Sequence, residues 1–329
     1  MNDIILSICI PTYNRSKFLD RALFYITNQL ENIGSFLEIV VLDNDSDDNT
    51  FEVVQKYIHL SFPINYIKND CNLGADFNVD KCYQVAKGRY VLTLGDDDIL
   101  ILNSIEKLIN ILNDSDYGVI HLTSKSIDSD VVYKLQKDYL DHKIYFNSNQ
   151  FFDKIGYNIT FISTNIVNKK YYNNINGLNF AGLNLPQVPY IIHSILRAKK
   201  NLIIEDCLIR AQVDNTGGYN LFKVFGNNLI KILFELSLEY PGTKFYKIIT
   251  DKLLVYFFPF WIIKLKKDLN FKKSESPNTL LLPLFKRNIR FWIYCYPLEF
   301  MPYYFAIIFN FATLIPHRLN KYLLKLFDR

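Results

Sequence analysis

Four short apolar runs in the first hundred residues each stop abruptly at a polar cluster, and helical spacing fills the gaps between them. The runs are residues 4–10, closed by Pro11; 37–42, closed by Asp43-Asn-Asp-Ser-Asp-Asp-Asn49; 64–67; and 90–94. Short apolar stretches bounded by turn residues read as buried strands. Between the first two, Ser16 suits a helix cap, and Phe18, Ala22, Ile26 and Leu30 share one helical face. Residues 51–58 and 76–86 read as two further helices, the second stopped by Gly88. This alternation predicts an α/β domain with a mostly parallel sheet and helices on both faces. Ligands on such sheets bind beyond the carboxyl ends of the strands, and the polar clusters fall at those ends.

The fourth run ends in Asp96, Asp97 and Asp98. Adjacent carboxylates held at an apolar strand end repel one another unless a cation or a ring of donors offsets their charge. Hard divalent ions favour such oxygens, binding through one or two carboxylates plus substrate phosphates. The simpler alternative is a helix start, where Asp is common as a cap.

Beyond residue 100 the pattern weakens. Residues 124–149 look irregular, 158–168 read as a strand, 189–200 as a helix and 202–210 as a strand. The α/β period stops near Gly217-Gly218. From there the chain reads as helices over 221–238, 243–266 and 285–327, so the expected domains are 1–217 and 218–329. The net charge of +4 does not by itself indicate a nucleic-acid partner, and none is expected. The last hundred residues, however, are basic and rich in Phe, Tyr and Trp, a combination that suits a membrane leaflet better than RNA. The apolar run 253–263 falls short of the ~20 residues a spanning helix needs. The longer run 291–315 is interrupted by Pro297, Glu299 and Pro302 and flanked by cations, including Lys286, Arg287, Arg290, Arg318 and Lys321. Interfacial or re-entrant helices are expected there, with an ordinary helical subdomain as the alternative. Cys9, Cys71, Cys82, Cys207 and Cys295 show no metal-ligand spacing, and an odd, scattered set fits a reducing compartment. The first residues are not expected to act as a secretory signal. Together these features predict residence at the cytoplasmic face of the plasma (inner) membrane, as a peripheral or monotopic protein.

Taken in order, Ser7-Ile-Cys-Ile-Pro-Thr-Tyr-Asn-Arg15, Val41-Leu-Asp-Asn-Asp-Ser46, Asn72-Leu-Gly-Ala-Asp-Phe-Asn78 and the segment 88–100 resemble the family 2 glycosyltransferases. The resemblance implies a GT-A (Rossmann-like) fold, a nucleotide-sugar donor and Mn²⁺ or Mg²⁺. It places Pro11, Tyr13, Arg15, Asn72, Gly74 and Asn78 with the nucleotide-sugar. Asp43 would accept a hydrogen bond from the pyrimidine ring; the alternative for Asp43 is a turn residue bonding its own backbone. Gly95 falls where the family often carries its first Asp, which puts Asp97 on the metal and Asp96 near the ribose. Leu185-Pro-Gln-Val188, Arg210 and Asp214-Asn-Thr-Gly-Gly-Tyr219 look like the abequosyltransferase-type members that decorate O-antigens. That likeness implies a dideoxyhexose donor and a lipid-linked saccharide acceptor.

Inverting members of the family place a carboxylate near the acceptor hydroxyl to take its proton. Here no Asp or Glu occurs between Asp153 and Glu205, and the segment offers Asn184, Gln187 and His193 instead. His193 titrates in the useful range when unperturbed, yet its isoleucine neighbours equally suit a buried structural histidine. Gln187, His193 and Asp98 are the candidate catalytic residues, with Asp206 a further source of a base. A retaining transfer in which the leaving phosphate takes the proton needs no base at all. A second class of function also stays open: a nucleotide-binding GT-A protein without transfer activity, acting in assembly.

Overall fold

The computed structural model describes residues 4–31, 33–128, 131–212, 220–267 and 276–327, with side chains to residue 315. The chain divides into two compact units, Met1–Gly218 and Tyr219–Arg329. The expected boundary at Gly217-Gly218 and the 214–219 segment lie outside the described residues.

Unit one carries a nine-stranded sheet. Its first half is β1 (Leu6–Thr12), α1 (Ser16–Thr27), β2 (Leu37–Asp43), α2 (Thr50–His59), β3 (Ile64–Lys68), α3 (Ala75–Val85) and β4 (Tyr90–Thr93). Then follow β5 (Ile99–Leu100), α4 (Ile105–Asp114), β6 (Val119–Ser126), β7 (His142–Tyr145), α5 (Ser148–Ile155), β8 (Asn165–Asn168), α6 (Lys169–Tyr172), α7 (Gln187–Arg197) and β9 (Asn201–Ala211). The order is β3-β2-β1-β4-β8-β6-β9-β5, with β7 paired to β9. The first four strands run parallel, as expected; β8 is antiparallel to β4 and β6, and β9 returns parallel to β6.

Strand order runs outward from β1 to β3, then reverses to place β4 on the other side of β1. Right-handed crossovers then require α1 and α2 on one face and α3 on the other. Side-chain alternation along β1 agrees. Leu6, Ile8 and Ile10 join a buried core with Leu19, Leu23, Ile26, Val54 and Tyr57 from α1 and α2. Ser7 and Cys9 point the other way: the Cys9 thiol approaches the Cys82 carbonyl on α3, and Ser7 Oγ accepts from Gly88 N at 2.7 Å. Gly88 is required there, because an added Cβ would lie 2.7 Å from Ser7 N.

Three sequence expectations change. Residues 158–168 are not one strand: two 3-10 turns, Gly156–Thr160 and Ile162–Thr164, precede the short β8. The Asn165 amide donates back to the Phe161 carbonyl at 2.9 Å, a local bond that competes with extended pairing. The 124–149 region holds the end of β6 and all of β7. The helix expected at 189–200 starts two residues earlier, with Pro189 inside its first turn.

Unit two is helical: α8 (Leu229–Glu239), α9 (Phe245–Lys252), α10 (Phe258–Leu265), α11 (Pro277–Phe285), α12 (Tyr296–Phe300) and α13 (Tyr303–Phe327). The expected long helices are broken into these pieces. π-Helical turns at Leu253–Phe257 and Phe291–Cys295 precede Pro259 and Pro297. Each proline lacks the N–H that would bond the carbonyl four residues back, and that carbonyl lies inside the widened turn. Phe245, Leu253, Phe258, Leu281 and Phe291 form the unit's buried interior. Phe300, Tyr304, Phe305 and Ile308 are 69%, 76%, 67% and 67% exposed, and Trp292, Ile293 and Phe311 add further exposed apolar surface. No helix among the described residues is long and apolar enough to cross a membrane.

Candidate active site

Every strand of the parallel half ends at the same rim, and the order reversal between β1 and β4 opens a crevice there. β4 delivers Gly95 and the three aspartates into it. A turn closed by Asp98 N to Gly95 O at 3.0 Å folds the triplet back before β5 begins. A Cβ on Gly95 would sit 3.1 Å from an Asp98 carboxylate oxygen and 3.2 Å from one of Asp97. A side chain here would crowd both acids, which gives a local reason for glycine where the resemblance leads one to look for Asp.

The three carboxylates are held separately. Asp96 accepts from Thr12 Oγ1 at 2.8 Å and from Arg15 Nη1 at 2.7 Å. Arg15 Nη2 reaches Asp97 Oδ2 at 2.8 Å, so one guanidinium spans two acids. Arg21 Nη2 donates to the Asp97 carbonyl at 2.7 Å. Asp98 turns away, accepting from the Ser163 hydroxyl and from Gln212 N. Ser163 Oγ in turn accepts from Gly95 N at 2.9 Å, which ties the turn to the segment before β8. Burial raises Asp96 to about 6 against the opposing pull of Arg15 and Thr12. Burial also raises Asp98 to about 7, with Ser163 opposing and the neighbouring Asp97 charge reinforcing. Among the described residues no three His, Cys, Asp or Glu side chains converge into a metal cage. The donor set is nonetheless hard oxygen, and one or two carboxylates suffice for an ion that also binds phosphates.

The β2 end is equally built. Asp43 is buried; Oδ1 accepts from Ser46 N at 2.8 Å and Oδ2 from the Tyr66 hydroxyl. The local bond from side chain to backbone weighed from sequence is therefore present. A carboxylate has about four lone-pair sites, so these two bonds leave capacity for a ligand. Asn72 and Asn78 serve the loop architecture. Asn72 Oδ1 accepts from the Asn44 amide and from Gly74 N, and the Asn78 amide donates to the Leu42 carbonyl at 2.9 Å. Gly74 has φ +87° as it enters α3, a conformation that L side chains rarely adopt. Pro11 lies at the β1 rim and Tyr13 is 43% exposed just beyond it.

The remaining candidates lie on α7. Gln187 is buried and its amide donates to the Thr160 carbonyl at 2.6 Å. His193 is buried, and that burial, reinforced by Arg197, lowers it to about 4. Asp206 is bound to Lys137 at 2.8 Å and accepts from Asp141 N. Thr12, Arg21, Tyr66 and Ser163 join the site without having been singled out in the sequence. Thr12 stands inside a quoted motif, whereas Ser163 lies 65 residues from Asp98 and carries no local signal.

The layout is that of an α/β domain with an acidic site at a strand-order reversal. Residues 7–175, just over half of the chain, match glycosyl transferase family 2, and the chain belongs to that family. It is 39% identical over 103 residues to abequosyltransferase RfbV of Salmonella typhimurium, covering 31% of each chain. It is 34% identical over 110 residues to the GalNAc(5)-diNAcBac-PP-undecaprenol beta-1,3-glucosyltransferase of Campylobacter jejuni, covering 33% of this chain and 35% of that one. Both matches thus span about a third of the relative's length. The fold is GT-A. Mannosyltransferase PcManGT from Pyrobaculum calidifontis, solved with GDP-Man and Mn²⁺, superposes with a TM-score of 0.53 at 14% identity, over 95% of this chain and 87% of that one.

Proposed function

We propose that this glycosyltransferase moves a sugar from a nucleotide-sugar to a lipid-linked saccharide in the synthesis of a bacterial surface polysaccharide, with a divalent cation at Asp97. The observation that carries the reading is the carboxylate triplet at the strand-order reversal, held by Thr12, Arg15 and Ser163. Asp97 would hold Mn²⁺ or Mg²⁺ with Asp96 beside it. The cation's contribution is to neutralise charge on the departing diphosphate. Asp43, at the neighbouring strand end, receives the pyrimidine ring, whose ring N–H or amino group is the matching donor. Arg15 bridges Asp96 and Asp97, and it supplies the guanidinium that suits a diphosphate.

Asp98 is our choice for the group that takes the acceptor proton. It is the acid of the triplet that faces away from Arg15, toward the segment before β8. A dideoxyhexose donor is favoured by the abequosyltransferase relative, and a lipid diphosphate acceptor by the name of the Campylobacter relative. Such an acceptor lies at a membrane surface, and the exposed aromatic and aliphatic side chains of α12 and α13 suit an interfacial contact. Nucleotide release from a panel of nucleotide-sugars, with and without Mn²⁺, tests the reading. Release that needs the metal and vanishes in Asp97→Ala supports it; metal-independent release, or none from any donor, removes it.

A further inference from the structure

A cavity lies beside the segment that holds Asp98. It has a volume of about 310 Å³ and lies between β6, β7, β9, α5 and the two 3-10 turns before β8. Ser163 bonds Asp98, and the next residue, Thr164, lines this cavity. Residues on either side of this hydrogen-bond partner, Phe161 and Thr164, thus connect the cavity to the acid to which we assign the acceptor proton.

Its chemistry is specific. Thr123, Ser124 and Thr164 bring hydroxyls, and Asn158 brings an amide at the mouth. Tyr145 and Phe161 bring aromatic rings. One cation, Lys154, is balanced by one anion, Glu205, and both are exposed. The floor includes His121, buried, hydrogen-bonded to Asn165 at 3.0 Å, and lowered by that burial to about 4. An uncharged floor and a mouth with no net charge suit neither a phosphate nor a cation. Hydroxyls and an amide with aromatic walls suit a neutral, polyhydroxylated ring whose C–H faces pack on the aromatics.

The cavity wall is also purposefully shaped. β6 and β9 pair in register from Ile120↔Leu202 to Leu122↔Ile204, and the next pair is Thr123↔Cys207. Glu205 and Asp206 are thus extra residues in a β-bulge. A bulge re-aims side chains and costs ladder bonds, and such features concentrate beside binding sites. Asp206 fixes this one, through Lys137 at 2.8 Å and the Asp141 N–H at 2.7 Å, while Glu205 lines the cavity.

We infer that this cavity is the subsite for the acceptor saccharide, holding a neutral hexopyranose through Lys154, Asn158 and Glu205 at its mouth. The inference rests on the transfer reading above. Saturation-transfer NMR of the full-length protein with a panel of methyl hexopyranosides tests it, alongside UDP and CDP binding and donor cleavage as separate readouts. At least one glycoside should bind with UDP or CDP present. Lys154→Ala/Glu205→Ala should weaken it about tenfold, as expected for two lost hydrogen bonds at a solvent-exposed mouth, and leave nucleotide binding and donor cleavage unchanged. The inference is overturned if no glycoside binds, if binding survives the double substitution, or if nucleotide displaces the glycoside. Loss of donor cleavage in the unaltered protein would instead defeat the transfer reading, and would be seen independently of glycoside binding.

Discussion

Thr12 Oγ1 donates to Asp96 Oδ2 at 2.8 Å, joining the ends of β1 and β4 where the strand order reverses. The hydroxyl is among the few groups that stabilise a buried carboxylate whose burial otherwise favours the neutral acid. Thr12→Val keeps the shape and removes the donor. We expect a stability loss of about 1–3 kcal/mol, the usual cost of a buried acceptor losing its partner, measured by urea unfolding. Donor affinity should fall as well, since Asp96 also positions Arg15.

Asp97→Ala should abolish transfer without unfolding the protein. The Asp97 side chain bonds Arg15 at a partly exposed position, so its removal leaves no large buried cavity. Excess chelator should reproduce the loss in the unaltered protein, and added Mn²⁺ should restore it there but not in the variant. Circular dichroism checks the fold. Full activity in either condition would remove the metal from the mechanism.

Asp43→Asn is a sharper probe of the base contact than Asp43→Ala. Asn retains an oxygen for Ser46 N or Tyr66, so the turn is expected to survive. Replacing one acceptor oxygen by a donor should raise the donor KM with little change in kcat, because the base contact is equal in ground and transition states. Alanine should add a stability cost, because the half-buried Tyr66 hydroxyl loses its acceptor. Unchanged KM in both variants would leave Asp43 as a turn residue alone.

His193 gives a pH test with a defined sign. Its folded pKa of about 4 lies below the usual value near 6.5. Between these values the unfolded chain binds the extra proton, so this histidine's contribution to stability is present above about pH 6.5 and is lost as pH falls toward 4. His193→Leu lacks that loss. Relative to the unaltered protein, the variant should gain up to about 3 kcal/mol between pH 7 and pH 4. Because His121 is present in both proteins, its own similar titration cancels. A flat difference across that range would mean that His193 is not held neutral.

Phe305→Ser/Ile308→Ser should reduce co-flotation with phosphatidylglycerol liposomes. Each buried apolar side chain of this size contributes about 1.5–3 kcal/mol, so losing two should weaken binding more than tenfold. Salt should extract only part of the unaltered protein, because screening weakens the lysine and arginine attraction and leaves the apolar part. A protein that never floats, even at low salt, would leave α13 without a membrane role.

The sequence by itself determined the alternating α/β plan, the position of the polar rim and the acidic triplet at the end of the fourth strand. These are local properties: burial forces an apolar run into a strand, and a run of polar residues ends it. The same reading placed Gln187 and His193 as catalytic candidates from chain position alone. Tertiary structure put both inside α7, one with its amide on Thr160 and the other kept neutral by its surroundings. It also decided how the three aspartates differ. Arg15 reaches across from the β1 end to span Asp96 and Asp97, and Ser163 closes on Asp98 from 65 residues away. Identical side chains in adjacent positions acquire different partners and different proton affinities only when the sheet brings distant segments to the same rim. Hydrogen bonding and desolvation act over a few ångströms of space, whatever the separation along the chain.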